Sequence, residues 1–153
     1  MLEALEEDFA FLAANGNAGD FDQTGTPGDF GITFLNSRDH ADPGAHPLVT
    51  RVFVGDDGGT FNLAGAALGI STTLDIGNFS LDDVVFSFID DLDDVATSVP
   101  ISNTVSVLEV IADFAGFLTS HEIAHSFGQR HTDSTNTVNS IIDEGGNLSL
   151  IHI

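Results

Sequence analysis

Apolar positions along this chain fall into short clusters separated by long polar stretches, and the spacing differs from one cluster to the next. Leu2, Leu5, Phe9 and Leu12 recur at intervals of three and four, with Glu3, Glu6, Glu7 and Asp8 between them and Asn15-Gly16 behind them. That spacing predicts an amphipathic helix ending at the Asn-Gly pair. Residues 15–30 are rich in Gly, Asp, Asn and Thr and read as loop. Gly31–Leu35 and Leu48–Gly55 then predict two buried strands, and Ile70–Leu74, after the small run Gly65-Ala66-Ala67-Leu68-Gly69, a third. Asp75–Ser80 reads as a turn. Val84–Phe88 is β-branched and aromatic, which favours a fourth strand over a short helix. The run Asp90, Asp91, Asp93, Asp94 reads as a solvated loop.

A long helix follows over about 104–128, capped by Ser102, Asn103 or Thr104, with Val107, Ile111, Phe114 and Leu118 on one stripe. His121 and His125 continue that stripe. Four residues apart on a helix, they project from one face within reach of a single ion. Burying two imidazoles and the neighbouring Glu122 carboxylate without a metal would be costly. Two neutral imidazoles holding Zn²⁺, with Glu122 taking a proton from a metal-bound water, accounts for the trio. Gly128 is free to adopt the left-handed conformation that ends a helix and turns the chain back, so His131 can arrive as a third ligand.

The five fixed positions of His121-Glu122-x-x-His125-x-x-Gly128-x-x-His131 resemble the zinc signature of the metzincin clan of metalloendopeptidases. The resemblance implies an α+β zincin-like catalytic domain: a twisted mixed sheet of about four or more strands, a backing helix and the long zinc-binding helix. Residues 1–131 would form the upper subdomain and 132–147 the start of a lower one. The clan's methionine-bearing turn corresponds to 139–146, where Ile142 stands in the methionine's place; Ile is close to Met in volume and can still floor the site. The clan's tyrosine near that turn has no counterpart, because the chain contains no Tyr. The implied activity is hydrolysis of internal peptide bonds in a protein or peptide substrate, with Glu122 as general base. The edge strand of such a sheet binds substrate by strand addition, and order along the chain nominates residues 69–75. Asp133 either orients a ligand histidine or is merely exposed. Some metzincins carry a second, structural zinc upstream. The loop holding Asp39, His40, Asp42 and His46 is the place here that offers its ligands, and a solvated surface turn is the other reading.

Charge narrows the field further. Twenty-four acidic residues face three basic ones, Arg38, Arg51 and Arg130, for a net charge of −21. Such a surface repels phosphate, so nucleic acid is excluded as a partner and anionic membranes are disfavoured. Asn17–Asp22 and Asp56-Asp57-Gly58-Gly59 carry oxygens suited to Ca²⁺, although no stretch matches an EF-hand loop. With no cysteine, zinc would be held by histidine. No run of eighteen apolar residues and no signal peptide is present. Because metzincins are mostly secreted, the expectation is a secreted or cell-surface protein whose N-terminus lies upstream. Leu148–Ile153 is the translation of CTGTCTCTTATACACATC and resembles a transposase-adapter end, so residues 148–153, His152 included, are set aside from the fold.

Two other classes stay open at this level. One is a catalytically silent acidic metal- or calcium-binding surface module that keeps a structural zinc. The other is a zinc hydrolase acting on something other than internal peptide bonds. Oligomeric state is not legible in the sequence.

Overall fold

The computed structural model describes residues 1–9, 34–42, 44, 49–55, 67–76, 79–80, 82–90, 92, 105–133, 135 and 140–143. They belong to two compact units, Leu2–Asp42 and Pro43–Ile153, the latter also including Met1. Helix α1 spans Leu2–Asp8 in the first unit. Its apolar stripe behaves as the spacing predicts: Leu5 and Phe9 are buried, and the Phe9 ring lies 5.7 Å from that of Phe34. The strand expected at Gly31–Leu35 is absent from its described part, since Phe34 and Leu35 have no strand pairing; the rest of it lies outside the described residues.

The second unit holds β1 (Arg51–Val54), β2 (Gly69–Ser71), β3 (Val84–Ser87) and the long helix α2 (Val107–Ser126). The sheet is mixed and, among the described residues, three-stranded in the order β1-β3-β2. β1 runs parallel to β3 and β2 antiparallel to it. The expectation of about four or more strands is therefore met only by three here. β1 is also less buried than its run of Val and Phe predicts: Phe53 and Val54 are exposed. With β3 on one side only, Phe53 covers itself by stacking on Phe86 at 5.4 Å.

β3 is central, and alternation decides what each face does. Val85 and Ser87 point to a buried face and are fully covered. There the Thr119 hydroxyl of α2 donates to Ala115 O of its own helix at 2.6 Å and, its proton thus used, accepts from the Ser87 hydroxyl at 3.1 Å. Phe114, Ala115, Phe117 and Leu118 of α2 form the core with Leu92, and Leu68, Ile89, Ile111 and Ile141 pack against it. Leu92, inside the aspartate run that reads as loop, is completely buried. The apolar stripe starts at Val110; Val107 is exposed.

The helix also begins later than the sequence suggests. Ser106 is the N-cap: its hydroxyl accepts from Glu109 N–H, and the Glu109 carboxylate accepts from Ser106 N–H at 2.7 Å. This reciprocal pair satisfies two orphan helix donors at once, which a lone Ser102, Asn103 or Thr104 would not. Its energetic share is modest. Removing a cap costs about 1 kcal/mol, against roughly 3–5 kcal/mol for truncating a buried Phe such as Phe117. Ser106→Ala is accordingly expected to lower unfolding free energy by about 1 kcal/mol without changing the fold, measured by denaturant titration. Hydrogen bonds from Ser106 hold the Glu109 carboxyl below its ordinary pKa. A carboxylate depressed in the folded state contributes fully above its unfolded pKa of about 4.3 and loses its contribution as pH falls through the lower folded value. The Tm gap between parent and Glu109→Ala should therefore narrow in acid.

Candidate metal centre

The C-terminal end of α2 places the first two histidines, and the way the helix stops places the third. His121 is nearly covered, at 9% exposure, and His125 lies one turn further on. Beyond the C-cap Phe127, Gly128 takes φ +82°. Gly128 N–H bonds His125 O at 2.8 Å and Gln129 N–H bonds Ala124 O at 3.0 Å, the paired closing bonds of a Schellman motif. Glycine is required here twice over. A side chain would strain the left-handed backbone, and a Cβ would meet Asp75 O at 2.5 Å and Ile76 Cα at 2.6 Å. The reversal brings His131 back onto the helix end.

The three Nε2 atoms converge: His121 to His125 is 3.2 Å, and each is 3.1 Å from His131. Tautomers follow from what the Nδ1 atoms touch. His121 Nδ1 faces the Ile141 carbonyl and His125 Nδ1 faces the Gln129 carbonyl at 2.7 Å. A carbonyl oxygen only accepts, so each Nδ1 carries the proton and each facing Nε2 of a neutral ring is a bare lone pair. Lone pairs 3.2 Å apart repel unless a cation sits among them. Ligands about 2.0–2.1 Å from a tetrahedral ion are separated by roughly 3.3 Å, close to the spacing found. Burial, the largest influence, keeps the His121 pKa below its usual value, and the other two rings push the same way against the opposing pull of Ile141 O and Asp143. That direction favours the neutral ring, the form in which an imidazole can bind a metal. Among the described residues this is the single group of three His or carboxylate side chains able to hold a metal ion.

Glu122 lies beside the cluster, half-covered by the sheet. Burial raises its carboxyl pKa, while His125 and the Ser71 N–H draw it down. A cleft of about 410 Å³ opens beside two of the three imidazoles, lined by Ser71, Thr72, Thr73, Leu74, His125, Arg130 and His131. Of the segment 69–75, nominated by order along the chain, Gly69–Ser71 forms an edge strand among the described residues, and Ser71, Thr72, Thr73 and Leu74 line the cleft beside the imidazoles.

The return loop is tied down by groups the sequence alone did not reveal. Thr132 N–H bonds Ile142 O at 3.0 Å. Asp143, only 1% exposed, accepts from the Thr132 hydroxyl at 2.6 Å and from Ser140 N–H at 3.1 Å. Together these fix the turn whose Ile141 carbonyl orients His121. Ile142 is buried in the same turn. Asp133, by contrast, is exposed, and its carboxylate accepts from the Thr135 N–H and hydroxyl. Main-chain carbonyls, rather than Asp133, meet the Nδ1 atoms of His121 and His125. In the other unit, Asp39, His40 and Asp42 are exposed. Asp39 pairs with Arg38 at 2.9 Å, and His40 Nδ1 accepts from Asn36 N–H. His46 and the loops 17–22 and 56–59 considered for calcium lie outside the described residues. No helix among the described residues is long and apolar enough to cross a membrane.

Comparison of the chain with protein-family models, with curated proteins and with solved structures returned no match. The chemistry of the site thus rests on its own geometry.

Two substitutions test that geometry without touching a ligand. Asp143→Ala frees the turn under His121 and should weaken metal binding about 10–100-fold by calorimetric titration. Gly128→Ala should lower Tm and metal affinity together, because the clash with Asp75 sits in the turn that delivers His131; unchanged values for both would refute the role assigned to the reversal.

Proposed function

We propose that this protein is a zinc-dependent metalloendopeptidase, with His121, His125 and His131 as zinc ligands and Glu122 as general base. The observation that carries the reading is the convergence of three imidazole nitrogens next to a half-buried carboxylate, with His125 and His131 opening on a cleft edged by a β-strand. Three histidines with no thiolate or carboxylate in the set suit zinc, a borderline-soft ion that favours imidazole. When bound, zinc supplies Lewis acidity that polarises a peptide carbonyl and makes water acidic near neutral pH.

The chain's own residues supply the rest. Burial makes Glu122 more basic than an ordinary carboxylate, which suits it to accept a proton from water and return it to the departing amine. Among the described residues no strand pairs with the outer edge of β2, which leaves main-chain groups for an extended peptide and favours a polypeptide over a compact small molecule. Hydrolysis of internal bonds follows from a cleft along a strand edge, where a chain can lie across the site without presenting its terminus. The resemblance to metzincins supports the same reading, and with it a secreted or cell-surface setting.

The decisive experiment measures bound zinc and chelator-sensitive cleavage of an unstructured protein together. Zinc near one per chain with internal cleavage is expected. Glu122→Gln should keep the zinc and lose about 10²-fold or more in kcat, whereas His125→Ala should lose the zinc. A Glu122→Gln variant as active as the parent would sink the general-base role. Zinc bound without cleavage would favour the silent-module alternative, and release from chain ends only would favour a different hydrolase.

A further inference from the structure

We propose that Gly69 is a positioning residue for Glu122, its missing side chain forming the slot in which the carboxylate lies against β2. The catalytic part of this proposal rests on the peptidase reading above; the steric part does not.

Strand register puts Gly69 under the helix. Gly69 pairs with Ser87 and Ser71 with Val85, and Ser87 and Val85 face the side on which α2 packs. Paired residues share a face, so a side chain at position 69 would point at α2. An ideal Cβ built there would stand 2.6 Å from Glu122 Cγ, 2.8 Å from Oε1 and 3.0 Å from Cδ. All three atoms belong to one residue. Real contacts of that kind do not come so close, so Glu122 could not keep its place if position 69 carried even a methyl group.

The Ser71 N–H draws the pKa of the Glu122 carboxyl down, and the ladder explains which way this group faces. Phe88 N–H bonds Leu68 O, and Thr72 N–H bonds Val84 O. Leu68 and Thr72 thus spend their main-chain groups on β3, and alternation leaves those of Gly69 and Ser71 facing the open edge. β2 therefore acts on the base chiefly at Gly69, where the missing side chain makes room for it. A glycine inside a short strand is otherwise disfavoured, and this slot gives it a reason.

A double-mutant cycle in thermal stability, run on the full chain with chelator present, tests the slot without any assumption about activity. Gly69→Ala should lower Tm with Glu122 in place, and should leave Tm unchanged or raised in a Glu122→Ala background, where the clashing atoms are gone. A variant that folds only when Glu122 is also truncated supports the slot equally. The same loss in both backgrounds overturns it. Cleavage then tests positioning: Gly69→Ala should keep its zinc, lose about tenfold or more in kcat with KM nearly unchanged, and add no further loss to Glu122→Gln. An additive loss in the Glu122→Gln background overturns the positioning role. If the parent itself cleaves nothing, the peptidase reading fails while the stability cycle still decides the slot.

Discussion

His121 and His125 both donate through Nδ1 to main-chain carbonyls, so as neutral rings they turn bare Nε2 lone pairs toward each other at 3.2 Å and have no proton to share between them. A cation among the three Nε2 atoms would relieve that repulsion, and the surrounding structure fixes the rings where such an ion could be held. His121 and His125 ride a helix anchored to the core through Phe114, Phe117 and Leu118. His131 is delivered by the Schellman turn at Gly128. On His121 and His125, Nδ1 is clamped by a main-chain carbonyl. The tautomers that leave the Nε2 atoms of His121 and His125 free for an ion are thus consequences of backbone geometry.

This explains why the ligands are legible in the sequence and their supports are not. Helical periodicity fixes the relation of His121 to His125, and glycine at Gly128 announces a reversal, so spacing alone brings the three rings together. Carbonyls carry no sequence signature. Nothing in residue identity says that Gln129 O or Ile141 O will face an imidazole, and Asp133 stands out in the sequence only because it follows His131 closely. Asp143, further along and after an apolar pair, is the carboxylate that fixes the turn. Gly69 reads as one member of a small, flexible run; its meaning appears only when Glu122 is placed opposite.

The fold is legible to a similar depth. Val84–Phe88, Ile70–Leu74 and the C-terminal half of Leu48–Gly55 all contain strands, because β-branched and aromatic clusters have few other ways to be covered. Sequence could not say that β3, last in order, lies at the centre of the three, since that depends on long-range pairing. Nor could it separate Ser106 from its neighbours as N-cap until Glu109 was read as the other half of a capping box. Val107 fits the helical spacing yet is exposed, because the first turn of α2 extends past the sheet-facing core that begins at Val110.

Ile142 in place of the methionine of the resembled turn is best weighed by what this turn gives to the site. Its contribution to His121 is the Ile141 carbonyl, a backbone group that persists with any residue at position 142, provided the turn keeps its shape. That shape is held by Thr132, Ser140 and Asp143, through the Thr132 N–H to Ile142 O bond and the two bonds into the buried carboxylate. The side chain at 142 has only to fill its space, and Ile142 does so at 4% exposure. Ile and Met are close in volume, and swaps of that kind cost less than about 1.5 kcal/mol when the core can adjust. Ligand orientation here depends on hydrogen bonds that Ile142 leaves intact.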